Sequence, residues 1–225
     1  MKKFLLVCAC CIFFVSEGFS QTRIGLRFSP GLAFSRGVDQ DLNDHYDVSG
    51  SGAGIRFFAG PEISHFFGDN YAFVTGVWFA SKRGALNVEY ENISLEREVY
   101  NLQYLQIPLT MRLYTNEIAT NTQLYFQLGA TGDIKIGENP VTVQSPQYIT
   151  NFRFFDASLV IGTGIQLQMG SNTYLLGGIT YMRGLINAVT DVRNVSVPEG
   201  VTAFDTQPSF RMNNDMITID LGIMF

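Results

Sequence analysis

Met216-Ile-Thr-Ile-Asp-Leu-Gly-Ile-Met-Phe225 is the stretch that decides the fold. Ile217, Ile219, Leu221, Ile223 and Phe225 alternate with Thr218, Asp220, Gly222 and Met224. Strict alternation means a β-strand with one apolar and one polar face. The chain ends on the apolar face, in an aromatic residue, so that face needs a partner. In an outer membrane the apolar side meets lipid, and such a strand closes a barrel against the first one. An ending of this kind is also what outer-membrane insertion machinery recognises. A last strand docked on a soluble core gives the same ten residues, so the rest of the chain has to separate the two.

Working outward, the same alternation recurs. In the first strand Ile24, Leu26, Phe28, Pro30, Leu32 and Phe34 oppose Arg23, Gly25, Arg27, Ser29, Gly31, Ala33 and Ser35. Leu105, Ile107, Leu109, Met111 and Leu113 oppose Tyr104, Gln106, Thr110 and Arg112. Ala157, Leu159, Ile161, Ile165 and Leu167 oppose Asp156, Ser158, Gly162, Gly164 and Gln166. The polar face is rich in glycine. A solvent-facing strand is weakened by glycine, whereas a narrow lumen needs it to admit Arg, Tyr and Trp side chains from the opposite wall. The inward set includes Arg23, Arg27, Arg56, Glu62, Arg112, Asp133, Lys135, Asp156 and Asp220, which carry both signs.

Strands are expected over 22–35, 54–66, 71–83, 102–114, 123–136, 153–168, 173–186 and 215–225. Gly68-Asp69-Asn70, Asn116 to Thr122 and Gly170-Ser171-Asn172 make short connections. The other four, near 37–53, 84–101, 137–152 and 187–214, are long and polar. Three short turns at one end and four long loops at the other is the asymmetry of an outer-membrane barrel. The fold expected is all-β: an eight-stranded antiparallel up-and-down transmembrane β-barrel. Phe34, Phe57, Phe79 and Phe155 fall at the long-loop ends, and Tyr71 and Phe225 at the other, as interfacial girdles do. Pro61 and Pro108 sit mid-strand, where each should mark a bulge or an unpaired carbonyl.

The start of the chain agrees. Met1-Lys2-Lys3 precedes an apolar run from Phe4 to Val15 and the small residues of Gly18-Phe19-Ser20. The run is too short to span a membrane and reads as a secretory signal over 1–20, with the barrel over 21–225. A lipoprotein signal ending at Cys8, Cys10 or Cys11 would cut the apolar run to a few residues. All three cysteines precede Gln21, so the mature chain has no disulfide framework. Removing Lys2, Lys3 and Glu17 from 15 basic and 20 acidic side chains leaves 13 and 19, a balance that does not suggest a nucleic-acid binder.

Tyr104-Leu-Gln-Ile-Pro-Leu-Thr-Met-Arg112, Gly162-Thr-Gly164-Ile-Gln166 and Tyr181-Met-Arg-Gly184-Leu-Ile-Asn187 resemble segments of PorT-like outer-membrane β-barrel proteins. Gln106 stands where that family often has a carboxylate. The resemblance implies the fold, an outer-membrane location and, from the family's namesake, an accessory role in type IX-like protein secretion.

Chemistry-bearing motifs are few. Asp39 to Asp47 opens like a calcium loop, but Asp44 replaces the turn glycine and Gly50 stands where a bidentate glutamate belongs. His45 among these acids, with a serine from another loop, could form the triad of an outer-membrane enzyme such as an acyltransferase. His65 reads as interfacial. Gly50 to Gly54 lacks the spacing and following helix of a phosphate loop. No catalytic, cofactor or metal residue is assigned and no cofactor is expected. The partners expected are outer-membrane lipid, the insertion machinery through the last strand, and envelope proteins at the long loops. The function expected is structural or interactive, with a lumen filled by side chains. Buried charges persist only when paired, and the strand beside Glu62 offers Arg27, while Gly76 and Trp78 on the other side offer nothing comparable.

Overall fold

The computed structural model describes residues 21–39, 46–50, 52–90, 93–142, 149–192 and 210–225. Twelve strands follow in order: β1 (Thr22–Asp39), β2 (Tyr46–Gly50), β3 (Ala53–Phe66), β4 (Tyr71–Gly76), β5 (Trp78–Tyr90), β6 (Ile93–Tyr114), β7 (Thr122–Thr142), β8 (Ile149–Phe152), β9 (Phe155–Gln168), β10 (Tyr174–Gly184), β11 (Val189–Val192) and β12 (Phe210–Met224). Eight staves make the wall, because β4 and β5 share one continuous register against β3. They run β1, β3, β4/β5, β6, β7, β9, β10 and β12, each antiparallel to the next.

Closure comes from the stretch quoted first. β12 pairs with β1 from Gly25 opposite Met224 to Asp39 opposite Phe210. Beyond that ladder, the Phe225 N–H donates to the Ile24 carbonyl at 2.8 Å, and the Phe225 backbone oxygen accepts from the Ile24 N–H at 3.2 Å. Every stave therefore has two neighbours, and no sheet edge meets lipid. The alternation resolves as expected: Ile217, Ile219 and Leu221 point outward and stay exposed, while Thr218, Asp220 and Met224 are buried inside. Phe28, Phe57 and Phe79 form an outer chain of rings with centroids 6.0 Å apart at each step.

The long-loop end departs from the sequence expectation. Residues 84–101 are mostly a hairpin rather than a loop: β5 continues to Tyr90 and β6 starts at Ile93, paired along that length. β7 extends to Thr142 beside β6, and β2 adds a further strand to β5. β8 and β11 pair with each other in a small second sheet. Outside the hydrocarbon both faces of a strand meet water, so the alternation that betrays a spanning strand is lost. Phe79 thus lies midway along the β4/β5 stave and marks a level on the wall rather than its long-loop end. The expected signal over 1–20, and the loop holding His45, lie outside the described residues.

Both prolines find a common explanation. Register places Val77 across from Pro61 on β3 and Gly76 across from Pro108 on β6. Val77, the residue between β4 and β5, donates its N–H to the Pro61 carbonyl at 3.2 Å, and Pro61 has no hydrogen to return. The two missing donors flank one point of one stave, and there the ladder breaks.

Candidate functional site

The interior is the part of this molecule with the most chemistry. Inward positions of β1, β3, β6, β7, β10 and β12 bring Arg27, Glu62, Arg112, Gln127, Thr180 and Asp220 to one level. Arg27 is the hub. Its Nη1 lies 3.2 Å from Glu62 Oε2, and its Nη2 lies 2.6 Å from Asp220 Oδ2. It also donates to Gln127 Oε1 at 3.3 Å and Thr180 Oγ1 at 3.2 Å. Arg112 Nη1 stands 2.7 Å from Glu62 Oε1, and its Nε donates to Gln127 Oε1 at 3.1 Å. Two guanidinium groups face two carboxylates, so this cluster is neutral. All four side chains are at most 3% exposed.

A second cluster lies nearer the long-loop end. Lys82 Nζ, from β5, meets Asp133 Oδ2 at 2.5 Å, Asp156 Oδ2 at 3.0 Å and Ser158 Oγ at 3.2 Å. Asp133 and Asp156 are direct register partners on β7 and β9. Tyr104 covers the ammonium with its ring centroid 5.1 Å away.

Aromatic layers separate and cap the two clusters. Phe58 and Trp78 stack at 4.7 Å between them, with the Arg27 guanidinium 5.1 Å from the Trp78 ring. At the short-turn end Arg23 is clamped between Phe66 and Tyr174, at 4.1 Å and 3.7 Å from the ring centroids. Toward the long loops Tyr100, Leu102, Phe152 and Met212 are buried together. Low-dielectric surroundings strengthen each ion pair and make any lone charge costly. The arrangement can therefore hold charge in place and block water. Nothing in it presents a reacting pair of groups to a substrate.

Set against the sequence expectation, the Glu62–Arg27 pair forms. Glu62 has a second partner, Arg112, reached across the interior from a strand that is not its neighbour. Arg56 does not acquire an acidic partner among the described residues: it donates to the Lys82 and Ile55 carbonyls at 3.4 Å and 2.7 Å from a half-exposed position. Lys135 pairs with Glu138 at 2.7 Å, near the rim rather than in the deep interior. Lys82 was the residue missed, although Trp78, Ala80 and Lys82 already stand two apart on one face. His65 shares a hydrogen bond of 2.9 Å with Thr22 Oγ1 at the short-turn end. Among the described residues no group of acidic, His or Cys side chains could hold a metal ion.

Residues 19–189 match the model of the outer membrane protein beta-barrel domain family. The chain belongs to that family. Its place is the outer membrane, where the apolar outer wall meets lipid. The family match stops at 189, although the ring closes only through β12, beyond it. The solved structure of OprG from Pseudomonas aeruginosa is similar, with a TM-score of 0.54, 11% identity, and coverage of 89% of this chain and 95% of that one. Neisserial surface protein A matches with a TM-score of 0.44, 8% identity, and coverage of 88% and 95%. The N-terminal barrel of OprF from Pseudomonas aeruginosa matches at 0.40, 10%, 91% and 98%. At such identities the OprG likeness shows the fold alone. No protein of curated function matches the chain in sequence.

Proposed function

We propose that this family member is a closed, non-catalytic outer-membrane barrel whose work is done at its long-loop end, where it meets partners. The observation that carries this reading is the double ion cluster, whose carboxylates and cations are almost fully buried between aromatic layers. A lumen filled in this way is a strut rather than a pore, and an eight-stranded interior is just wide enough to be filled. The extended β5–β6 hairpin, widened by β2 and β7, supports a protruding surface fit for contacts. The test is planar-bilayer recording of the purified full barrel. The expected trace has no discrete conductance steps, and reproducible unit steps from the unmutated protein would overturn the closed reading.

A second reading is an accessory role in protein secretion, supported by the PorT-like segment Tyr104 to Arg112. It differs in what it demands of partners. Affinity capture from membranes in mild detergent would recover a fixed set of envelope proteins in constant ratio. Recovery of the barrel alone would count against it. We further propose that residues 1–20 are removed as an export signal and that the Phe225 end is read by the insertion machinery.

A further inference from the structure

The outer wall of β9, β10, β12 and β1 changes character over two residues. Read across register partners, Leu32, Ile217, Tyr181 and Ile161 form one outward row, apolar but for a phenol. The next row toward the long loops starts with Phe34 beside Asp215 and ends with Arg183 beside Leu159. One step further, Arg36 stands beside Asn213. Short turns mark the periplasmic end, so this more polar row lies on the outer side of the apolar one.

Among the described side chains of these rows Asp215 is the single acid, and it is used up within the wall: its side chain is 3% exposed. Gly184 N–H and Tyr181 OH donate to it at 3.0 Å and 3.1 Å. Arg36 reaches it only at 3.7 Å and keeps about a third of its side chain exposed. Arg183 is exposed on the same outward face, next to Asp215. A groove beside them, lined by Arg153, Leu185, Ile186, Asn187 and Asn213, adds a third guanidinium. The backbone under Arg153 is fixed by its N–H donating to the Ala188 carbonyl at 2.8 Å.

Two guanidinium groups beside one sequestered carboxylate on the outward face, with a third in the adjoining groove, call for an anion that arrives from the membrane. Guanidinium forks match phosphate oxygens two at a time. We propose that this rim binds the phosphate of an outer-leaflet lipid, with Arg36, Arg153 and Arg183 as its cations and the Leu32–Ile217–Ile161 row against the acyl chains.

The test uses the purified full barrel in micelles and native mass spectrometry, with phosphatidic acid and phosphatidylcholine of identical acyl chains as probes. Unmutated protein should retain phosphatidic acid in preference, and each arginine should contribute about fivefold, as expected for a basic residue at an anionic surface. The double variant Arg36→Gln/Arg183→Gln should lose about 25-fold of the preference and keep only what Arg153 supplies, while still showing the gel-mobility shift of a folded barrel. Arg56→Gln, a half-exposed arginine on another stave, should keep the full preference. The proposal is overturned if the double variant keeps the full preference of the unmutated protein, or if Arg56→Gln loses it to the same extent. Displacement of phosphatidic acid by an equal concentration of inorganic phosphate would reassign the site to a free anion. Equal retention of both lipids by the unmutated protein would leave the rim to an acidic protein surface and sink the lipid assignment.

Discussion

Arg27 shows how much one side chain can carry in a filled barrel. It compensates Glu62 on one side and Asp220 on the other, with neither carboxylate open to water. Replacing it by Gln strands Asp220 and leaves Glu62 to Arg112 alone, and breaking a buried pair costs roughly 3–5 kcal/mol. The urea midpoint of Arg27→Gln in micelles should fall accordingly, while Arg56→Gln, whose partners among the described residues are carbonyls, should shift it by well under about 1 kcal/mol. An unchanged midpoint for Arg27→Gln would mean a water-filled lumen. Lys82→Gln should be destabilising for a second reason, because it leaves Asp133 and Asp156 facing each other as register partners without their cation. Removing one of those acids as well, in Lys82→Gln/Asp156→Asn, should recover part of the loss in the same assay. The Arg27–Glu62 pair was legible because adjacent strands and alternation suffice to place it. Arg112 on Glu62 was not, since a contact across the interior depends on barrel diameter and stagger, which no linear pattern states. Lys82 could have been found by following Trp78 and Ala80 two residues further.

At the scale of the strand, what the sequence could reveal depended on the solvent at each face. Strands inside the membrane have lipid on one side and packed side chains on the other, so Ile24 to Phe34 or Leu105 to Leu113 announce themselves. The upper part of the β5–β6 hairpin has no such contrast and looked like a loop. The prolines were visible but not intelligible, because Pro61 and Pro108 make sense only once the stave between them is in place. The expectation that inward glycines make room for large lumen side chains holds at Gly164 and Gly178, which face Tyr125, and it can be tested. A Cβ on Gly178 would come within 2.4 Å of Tyr125 Oη and 2.6 Å of the Thr163 carbonyl, whereas one on Gly170 in the β9–β10 turn would meet nothing within 4 Å. Tyr125 in turn lies 5.1 Å from the Arg112 guanidinium. Gly178→Ala should therefore cost about 1–3 kcal/mol through overpacking and disturb the ion cluster, while Gly170→Ala should be neutral. Equal urea midpoints for the two variants would show that the β9–β10 wall has room to spare.

For the whole molecule the decisive property is closure, and it rests on the seam between the two ends of the fold. A ring closed on itself with no open edge resists detergent, so unboiled protein should migrate differently from boiled protein. That shift reports a compact fold without locating the seam. The seam itself can be tested directly, because all three cysteines precede Gln21 and the barrel offers a thiol-free background. Phe28 and Leu221 are register partners on β1 and β12, and both side chains point outward. Directly opposed residues of antiparallel strands have Cα atoms about 4.5–5.5 Å apart, within the range of about 4.4–6.8 Å that a disulfide requires. A chain carrying Phe28→Cys and Leu221→Cys should oxidise to an intramolecular disulfide in the folded state. After boiling without reductant it should run as a looped species, and reductant should restore normal mobility. Pairing Phe28→Cys with Ile161→Cys, on a stave two places beyond the seam, should give no such loop, because β9 touches β10 and β7 but not β1. Crosslinking of the second pair, or failure of the first in protein that still shows the folded gel shift, would mean that β12 closes on some other strand. The register that brings Arg27 to Asp220 would then be wrong as well, so this experiment tests the interior and the ring together.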